Sequence, residues 1–203
     1  AEKKKKKYYR NNILGTKTIL ETCKNSTVKN FIFSSSCSVY GNVNGSVSEK
    51  RRLKPRGYYA FTKYMGEKIV IKYSNKYKLN FSILRYFNVA GASRSGKCGE
   101  IEKSHGHLIK NIALQSLKKK PKIEIYGNNY KTKDGTCIRD FIHVSDIAEI
   151  HYLVLEKINK LNISKILNCG YNEGTSVLQV AKEFKRQSSK KVKIIDSKRR
   201  SND

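Results

Sequence analysis

Between Val28 and Tyr86 the chain spells out a strand, a loop, a long helix and a second strand, and few folds accept that order at those lengths. Val28-Lys-Asn-Phe-Ile-Phe-Ser34 is a short apolar run rich in β-branched and aromatic residues, the composition of a buried strand. Gly41 through Gly57 is rich in Gly, Ser and Asn, contains Pro55, and reads as loop. A long helix is expected from Tyr58 to Tyr77, followed by a second buried strand, Phe81-Ser-Ile-Leu-Arg-Tyr86. Strand, helix and strand in this arrangement make a βαβ unit, which implies parallel strands joined by a right-handed crossover.

The remaining pattern extends that alternation. Ile13, Ile19, Leu20 and Cys23 have helical spacing, ahead of which residues 1–7 form a charged leader without apolar periodicity. Residues 88–106 read as loop, and a helix is expected near 107–119. Ile123–Tyr126 is a short strand, trailed by a polar hairpin or loop to Gly135. A helix from Val144 to Lys157, a strand from Lys165 to Cys169, a helix from Ser176 to Gln187 and a last strand from Val192 to Ile195 complete the chain. The expected class is α/β with a doubly wound parallel sheet. At 203 residues the chain fits one domain, or one domain with a smaller lobe.

Composition narrows the function classes. No stretch approaches the roughly 18 uninterrupted apolar residues of a membrane span, so a soluble protein without membrane partners is expected. Five cysteines are scattered without a C-x-x-C pair, which argues against a disulfide framework or a thiolate zinc site and for reduced thiols in the cytoplasm. His105-Gly-His107 with Cys98 lacks a fourth ligand at useful spacing, so no metal is expected. The formal charge of +27 admits two readings, a polycation for nucleic acid or a lysine-rich background. The lysines recur along the whole chain with no RNA-binding signature or aromatic stacking stripe between them, which favours the background.

The chemistry gathers around the βαβ unit. The first strand leads into Ser34-Ser-Ser36, and small hydroxyls at a strand's carboxyl end sit where open α/β sheets bind ligands. The long helix begins Tyr59-Ala-Phe-Thr-Lys63, and residues four apart share a helical face. An ammonium held near a phenol favours the phenolate and brings a tyrosine, ordinarily titrating near 10, toward use as a base. Alone, this pair could equally be a surface Tyr–Lys contact. With Ser36 at the strand end ahead of it, it resembles the Ser/Tyr/Lys trio of the extended short-chain dehydrogenase/reductases.

The resemblance narrows with Tyr8-Tyr-Arg-Asn-Asn12 before Gly15-Thr16, Phe31-Ile-Phe-Ser-Ser-Ser36 with Val39-Tyr-Gly41, and Arg85-Tyr-Phe-Asn88 with Gly91-Ala92. His107-Leu-Ile109 and Asp134-Gly-Thr-Cys-Ile-Arg-Asp-Phe-Ile-His-Val144 extend it. Together these resemble the NAD-dependent UDP-glucose 4-epimerases over residues 8–203, and the last run is the most specific piece. The resemblance implies Ser36, Tyr59 and Lys63 as catalytic and cofactor-binding residues, with Asn11 and Phe87 lining NAD. It implies Asn88, His107, Glu124, Ile125, Tyr126, Arg139, Arg200 and Asp203 at the uridine diphosphate of UDP-glucose or UDP-galactose. It implies a homodimer of the full-length protein. The corresponding division is an incomplete NAD-binding Rossmann-like domain at 1–98 and a mainly UDP-sugar-binding lobe at 99–203, with a segment near 136–155 returning to the former.

Several of these residues keep a plainer reading beside the functional one. Ser36 could cap the strand end, Arg139 could pair with Asp140, and Tyr126 could be strand core or a uracil platform. His143 and His151 read as packed helix-face histidines. The Gly-rich phosphate turn with which the resembling proteins open has no counterpart among the 13 glycines here. A truncated chain that does not hold NAD tightly and turns over poorly or not at all, an inactive fragment of such an enzyme, is therefore expected. Two alternatives stand beside the epimerase: another sugar-nucleotide epimerase or dehydratase, and a basic, non-catalytic nucleic-acid-binding remnant.

Overall fold

A computed structural model describes residues 4–101 and 107–199. The chain divides into two units, Ala1–Phe87 with Ile147–Cys169, and Asn88–Asp146 with Gly170–Asp203.

In the first unit, helix α1 (Lys5–Tyr8) runs through a π-helical segment, Tyr9–Leu14, into α2 (Gly15–Cys23). The lysine leader is thus partly helical. Strand β1 (Asn30–Ser36), a 3-10 turn at Cys37–Tyr40, α3 (Gly57–Tyr77) and β2 (Asn80–Tyr86) follow. Strand β1 ends two residues beyond the limit its apolar run suggests, which brings Ser36 into the ladder opposite Tyr86. Four consecutive residues of β2, Ser82 to Arg85, are buried. That is the signature of a central strand covered on both faces.

Parallel pairing on both flanks of β2 explains it, since β6 (Lys165–Cys169) completes a sheet of order β1-β2-β6, as the βαβ pattern requires. Leu20 of α2, Val70 of α3, Phe33, Leu79 and Ile83 form one core cluster. Helix α5 (Val144–Leu161) buries Ile147, Val154 and Ile158. Helix α3 is unusual in what it hides: Thr62, Gly66, Glu67 and Ser74 are buried along with Ala60 and Val70. Gly66 has a steric reason, since a Cβ there would lie 2.5 Å from Phe33 Cζ.

The second unit holds two small sheets. Strand β3 (Asn88–Ala90) pairs in parallel with β5 (Ile138–His143), which pairs antiparallel with β7 (Gly174–Ser176). Strands β4 (Lys122–Tyr126) and β8 (Lys193–Ser197) pair in parallel. Helices α4 (Leu108–Ser116) and α6 (Val177–Gln187) share a core with Ile123, Ile125 and Val192. Ser176 and Gln179 form a reciprocal capping box that starts α6. No helix among the described residues is long and apolar enough to cross a membrane.

Candidate active site

In the first unit three successive turns of α3 meet the three serines that end β1. The Ser36 side chain acts on the Tyr59 phenol in the direction that favours its phenolate. One turn on, Lys63 Nζ donates to the Ser34 carbonyl at 2.8 Å. One turn further, Ser35 Oγ donates to Glu67 Oε1 at 2.5 Å. Residues 59, 63 and 67 recur at intervals of four and share one helical stripe, so the strand end and the helix are laced together at every turn.

Ser36 is held ready for traffic in protons. Its Oγ accepts the Ser38 amide N–H at 3.2 Å as the cap of the 3-10 turn. With one lone pair so occupied, its own O–H is left to donate toward the phenol, in the sense that stabilises a phenolate. The capping role of Ser36 therefore leaves its hydroxyl hydrogen available. Tyr59 keeps 37% of its surface exposed and meets the Tyr8 ring edge-on at 5.9 Å.

The expected lowering of the Tyr59 phenol is not what the structure holds. Burial pushes this phenol above the usual tyrosine range, and the Ser36 side chain offsets only part of that. Lys63 is itself pushed below the usual lysine range by burial. Its ammonium stands 5.9 Å from the Tyr59 ring centre and 5.5 Å from that of Phe33, with its hydrogen bond spent on Ser34.

Asn11 sits exposed on the π-helical segment, where one extra residue per turn turns side chains out of the ordinary helical rows. Its neighbour Asn12 donates from Nδ2 to Thr62 Oγ1 at 3.0 Å, and Thr62 Oγ1 donates to the Tyr59 carbonyl at 2.8 Å, which ties this segment to the first turns of α3. Phe87 is half-buried and donates its N–H to the Cys169 carbonyl at 3.1 Å. An ammonium has three donors, of which Ser34 takes one, and Asn11 offers an exposed amide. These groups fit the hydroxyls and carboxamide of a nicotinamide riboside. His151, in the same unit, is packed as expected, with Nδ1 2.7 Å from the Ile147 carbonyl and Nε2 2.7 Å from the Tyr86 hydroxyl.

The second unit carries the other candidates. Asn88 opens β3 opposite Phe141 and is half-buried. His107 is exposed at the N-cap of α4, its Nδ1 3.2 Å from Glu100 Oε1. Along β4 the faces alternate. Glu124 is exposed and accepts from the Tyr126 hydroxyl at 2.7 Å, Ile125 is 1% exposed in the core, and Tyr126 is half-buried. Ile125 thus has only its backbone to offer a ligand. Arg139 is half-buried in β5 opposite Thr175 and donates from Nη1 to the Ile138 carbonyl at 3.1 Å. The Asp140 oxygens accept from the backbone of Tyr171 and Asn172 at 3.1 and 2.9 Å. His143 ends β5, where its Nδ1 accepts the Ser145 N–H at 3.2 Å. Arg200, Asp203 and His105 lie outside the described residues.

Sequence reasoning gave no individual role to Ser35, Glu67 or Arg85. Each is only 2% exposed. Arg85 grips Glu67 through Nε at 2.9 Å and Nη2 at 2.7 Å, and its Nη1 reaches the Tyr40 hydroxyl at 2.8 Å and the Glu49 carbonyl at 3.2 Å. Ser35 and Arg85 are register partners across β1 and β2, so Glu67 sits over a cross-strand pair. The signal was available: a carboxylate four residues beyond Lys63 on the face that carries the trio.

Comparison with known proteins places this arrangement. Residues 1–170 match the family model described as NAD dependent epimerase/dehydratase family. The chain is 37% identical over 197 residues to a UDP-glucose 4-epimerase of Azospirillum brasilense, an alignment covering 97% of this chain and 57% of that protein. It is 38% identical over 195 residues to a UDP-glucose 4-epimerase of Lactobacillus helveticus, covering 96% and 58%. The chain therefore spans less than two thirds of the length of these relatives. A crystal structure of UDP-glucose-4-epimerase from Stenotrophomonas maltophila, with bound NAD and formylated UDP-arabinopyranose, superposes with a TM-score of 0.93 at 32% identity, over 99% of this chain and 61% of that one. That of the Bifidobacterium longum UDP-glucose 4-epimerase, in complex with NAD+ and UDP, superposes with a TM-score of 0.88 at 32% identity, over 97% and 60%.

Proposed function

Because the chain belongs to the NAD dependent epimerase/dehydratase family, we propose that it carries the proton-transfer centre and the nucleotide-sugar residues of a UDP-hexose 4-epimerase. The reaction is the interconversion of UDP-glucose and UDP-galactose. The observation that carries this reading is the meeting of Tyr59 and Lys63 with the end of β1: the Lys63 ammonium holds the Ser34 carbonyl and stands 5.9 Å from the Tyr59 ring centre, and the Ser36 side chain acts on the same phenol.

NAD, when bound, supplies the acceptor and donor for the hydride at the sugar carbon; the chain supplies the rest. Tyr59 takes the proton of the sugar 4-hydroxyl, with Ser36 bonded to the same hydroxyl and relaying the proton. Lys63 turns its remaining donors to the ribose hydroxyls, and its charge then works against the burial that holds the phenol up. Since product and substrate differ only in configuration at one carbon, the same phenol returns the proton. Asn11 and Phe87 line the cofactor. Asn88, His107, the Glu124–Tyr126 strand, Arg139, Arg200 and Asp203 hold the uridine diphosphate. Guanidinium forks suit phosphate oxygens.

Cys37 and Ser38, not a carboxylic acid, follow Ser36. That favours epimerisation over dehydration, which needs an acid beside the serine. Exposed Leu14, Ile19 and Phe61 on the entry helices and α3 support a homodimer of the full-length protein. Free thiols at all five cysteines fit a reducing cytoplasm.

The test is UDP binding by calorimetry, in competition with single-stranded DNA, together with UDP-galactose to UDP-glucose conversion in added NAD. UDP bound in preference to DNA, and lost in Arg139→Ala, supports the reading. DNA or RNA bound preferentially, with the steep salt dependence of phosphate contacts, overturns it in favour of a basic binding module.

A further inference from the structure

The buried Arg85–Glu67 pair lies beside the trio without touching anything that reacts. Removing two charges from water is a poor source of stability, so its position asks for another explanation. Glu67 stands four residues after Lys63 on α3, the spacing at which a helical lysine and glutamate ordinarily pair. Here they do not. Both Glu67 oxygens are claimed, Oε1 by Ser35 and Arg85 Nε, Oε2 by Arg85 Nη2, and the Lys63 ammonium is delivered to the Ser34 carbonyl instead.

We propose that Arg85 is a positioning residue for the proton-transfer centre: by occupying Glu67 from the neighbouring strand, it keeps the Lys63 ammonium beside Tyr59. The geometry is specific in three ways. Arg85 stands opposite Ser35 in the β1–β2 register, so a single fork reads strand register and helix position together. Its Nη1 bonds to Tyr40 and Glu49 fix the fork from its other side, and Tyr40 in turn donates to Asn168 of β6 at 2.6 Å. The groups facing Tyr59 itself are Ser36, Cys37, Tyr8 and Lys63, with no carboxylate among them. A Glu67 freed of Arg85 would bring one turn of helix of negative charge to bear on Lys63.

The proposal rests on the trio being catalytic, and its test has an arm that needs no catalysis. In the chain labelled with 13C-tyrosine, without added ligand, the Tyr59 signal is assigned by its loss in Tyr59→Phe and followed from pH 8 to 12. Arg85→Met should move the Tyr59 midpoint up by about half a pH unit or more, as Lys63 is drawn off. The double variant Glu67→Gln/Arg85→Met removes the competing carboxylate and should return the midpoint toward the parent value, although the packing defect remains. In the conversion assay, Arg85→Met should lower kcat roughly tenfold with KM within about twofold, and the double variant should recover most of it.

Should Arg85→Met fail to fold, Arg85→Lys keeps the charge and loses the fork, and it should shift the midpoint in the same direction by less. A double variant whose midpoint equals that of Arg85→Met overturns the proposal, as does an unshifted midpoint in every folded variant. Where the parent chain itself converts no substrate, as expected without the Gly-rich phosphate turn, the titration arm alone decides the role of Arg85.

Discussion

The Lys63 ammonium stands 5.9 Å from the centre of the Tyr59 ring and gives its hydrogen bond to the carbonyl of Ser34, two residues before the serine whose side chain lowers that phenol. The cation is thus anchored to the strand beside the ring. Burial is the largest influence on the Tyr59 phenol, and the phenol is held up. A base of this kind stays protonated until further positive charge is brought to it.

Substituting Tyr59→Phe should abolish nearly all conversion of UDP-galactose, by roughly 10²- to 10⁴-fold, because the general base is lost. Ser36→Ala should cost a similar or smaller factor and should also push the Tyr59 midpoint further up, since the side chain that lowers it is gone. Rates and 13C-tyrosine titrations of both variants, with circular dichroism to confirm the fold, check this.

Cys169 gives the chain a pH dependence of its own. Its thiol is 2% exposed, and burial, aided by the charge of Glu49, pushes it up to about 11 from 9.0. A raised folded value means that the contribution is fully present below pH 9 and is lost as the pH climbs toward 11. The loss should be on the order of 2 kcal/mol. Urea midpoints from pH 8 to 11 should fall more steeply in the parent chain than in Cys169→Ala. Iodoacetamide at pH 8 should label exposed Cys98 long before Cys169.

Gly66→Ala should destabilise the first unit even though alanine favours helices. The new Cβ would lie 2.5 Å from Phe33 Cζ and within 3.3 Å of two further ring carbons. Overpacking of a core costs about 1–3 kcal/mol, against a helix-propensity gain near 1 kcal/mol. A lower urea midpoint, recovered in Gly66→Ala/Phe33→Leu, is the expected outcome.

Arg139→Ala should weaken UDP binding by about ten- to a hundredfold, the range for losing a hydrogen bond to a charged group. It should leave the Tyr59 titration where it was. Calorimetry and the tyrosine signal read the two effects separately.

Strands β1, β2 and β6 and helix α5 were legible because their residues obey a period or form an unbroken apolar run long enough to detect; helix α3, which hides Thr62, Gly66, Glu67 and Ser74, has no such period and was legible only as the long stretch between a loop and a strand. Strands β3 and β7 were not, since Asn88-Val-Ala90 and Gly174-Thr-Ser176 are too short to express alternation. Strand β5 was hidden within the Arg139–His143 motif, whose charges masked its pairing. The entry helix looked like a solvated leader because only Tyr8 among residues 4–8 is even half-buried. The trio followed from spacing and resemblance. The direction of the phenol's shift did not, because it depends on burial and on where an ammonium points, and neither is written in a spacing of four. Glu67 and Arg85 escaped because pairing across 18 residues is set by strand register, which only the folded chain reveals.

The lacing of Tyr59, Lys63 and Glu67 onto Ser36, Ser34 and Ser35 bears on how such a chain can change over time. A residue inserted between Tyr59 and Glu67 would swing the later contacts by about 100° around the helix, and at least one of the three fastenings could not be remade. Residues 42–46, by contrast, are loop ahead of the stretch that Val47 and Glu49 tie to Asn168 and Arg85. Length variation among descendants should accumulate there and stop abruptly at the first laced turn.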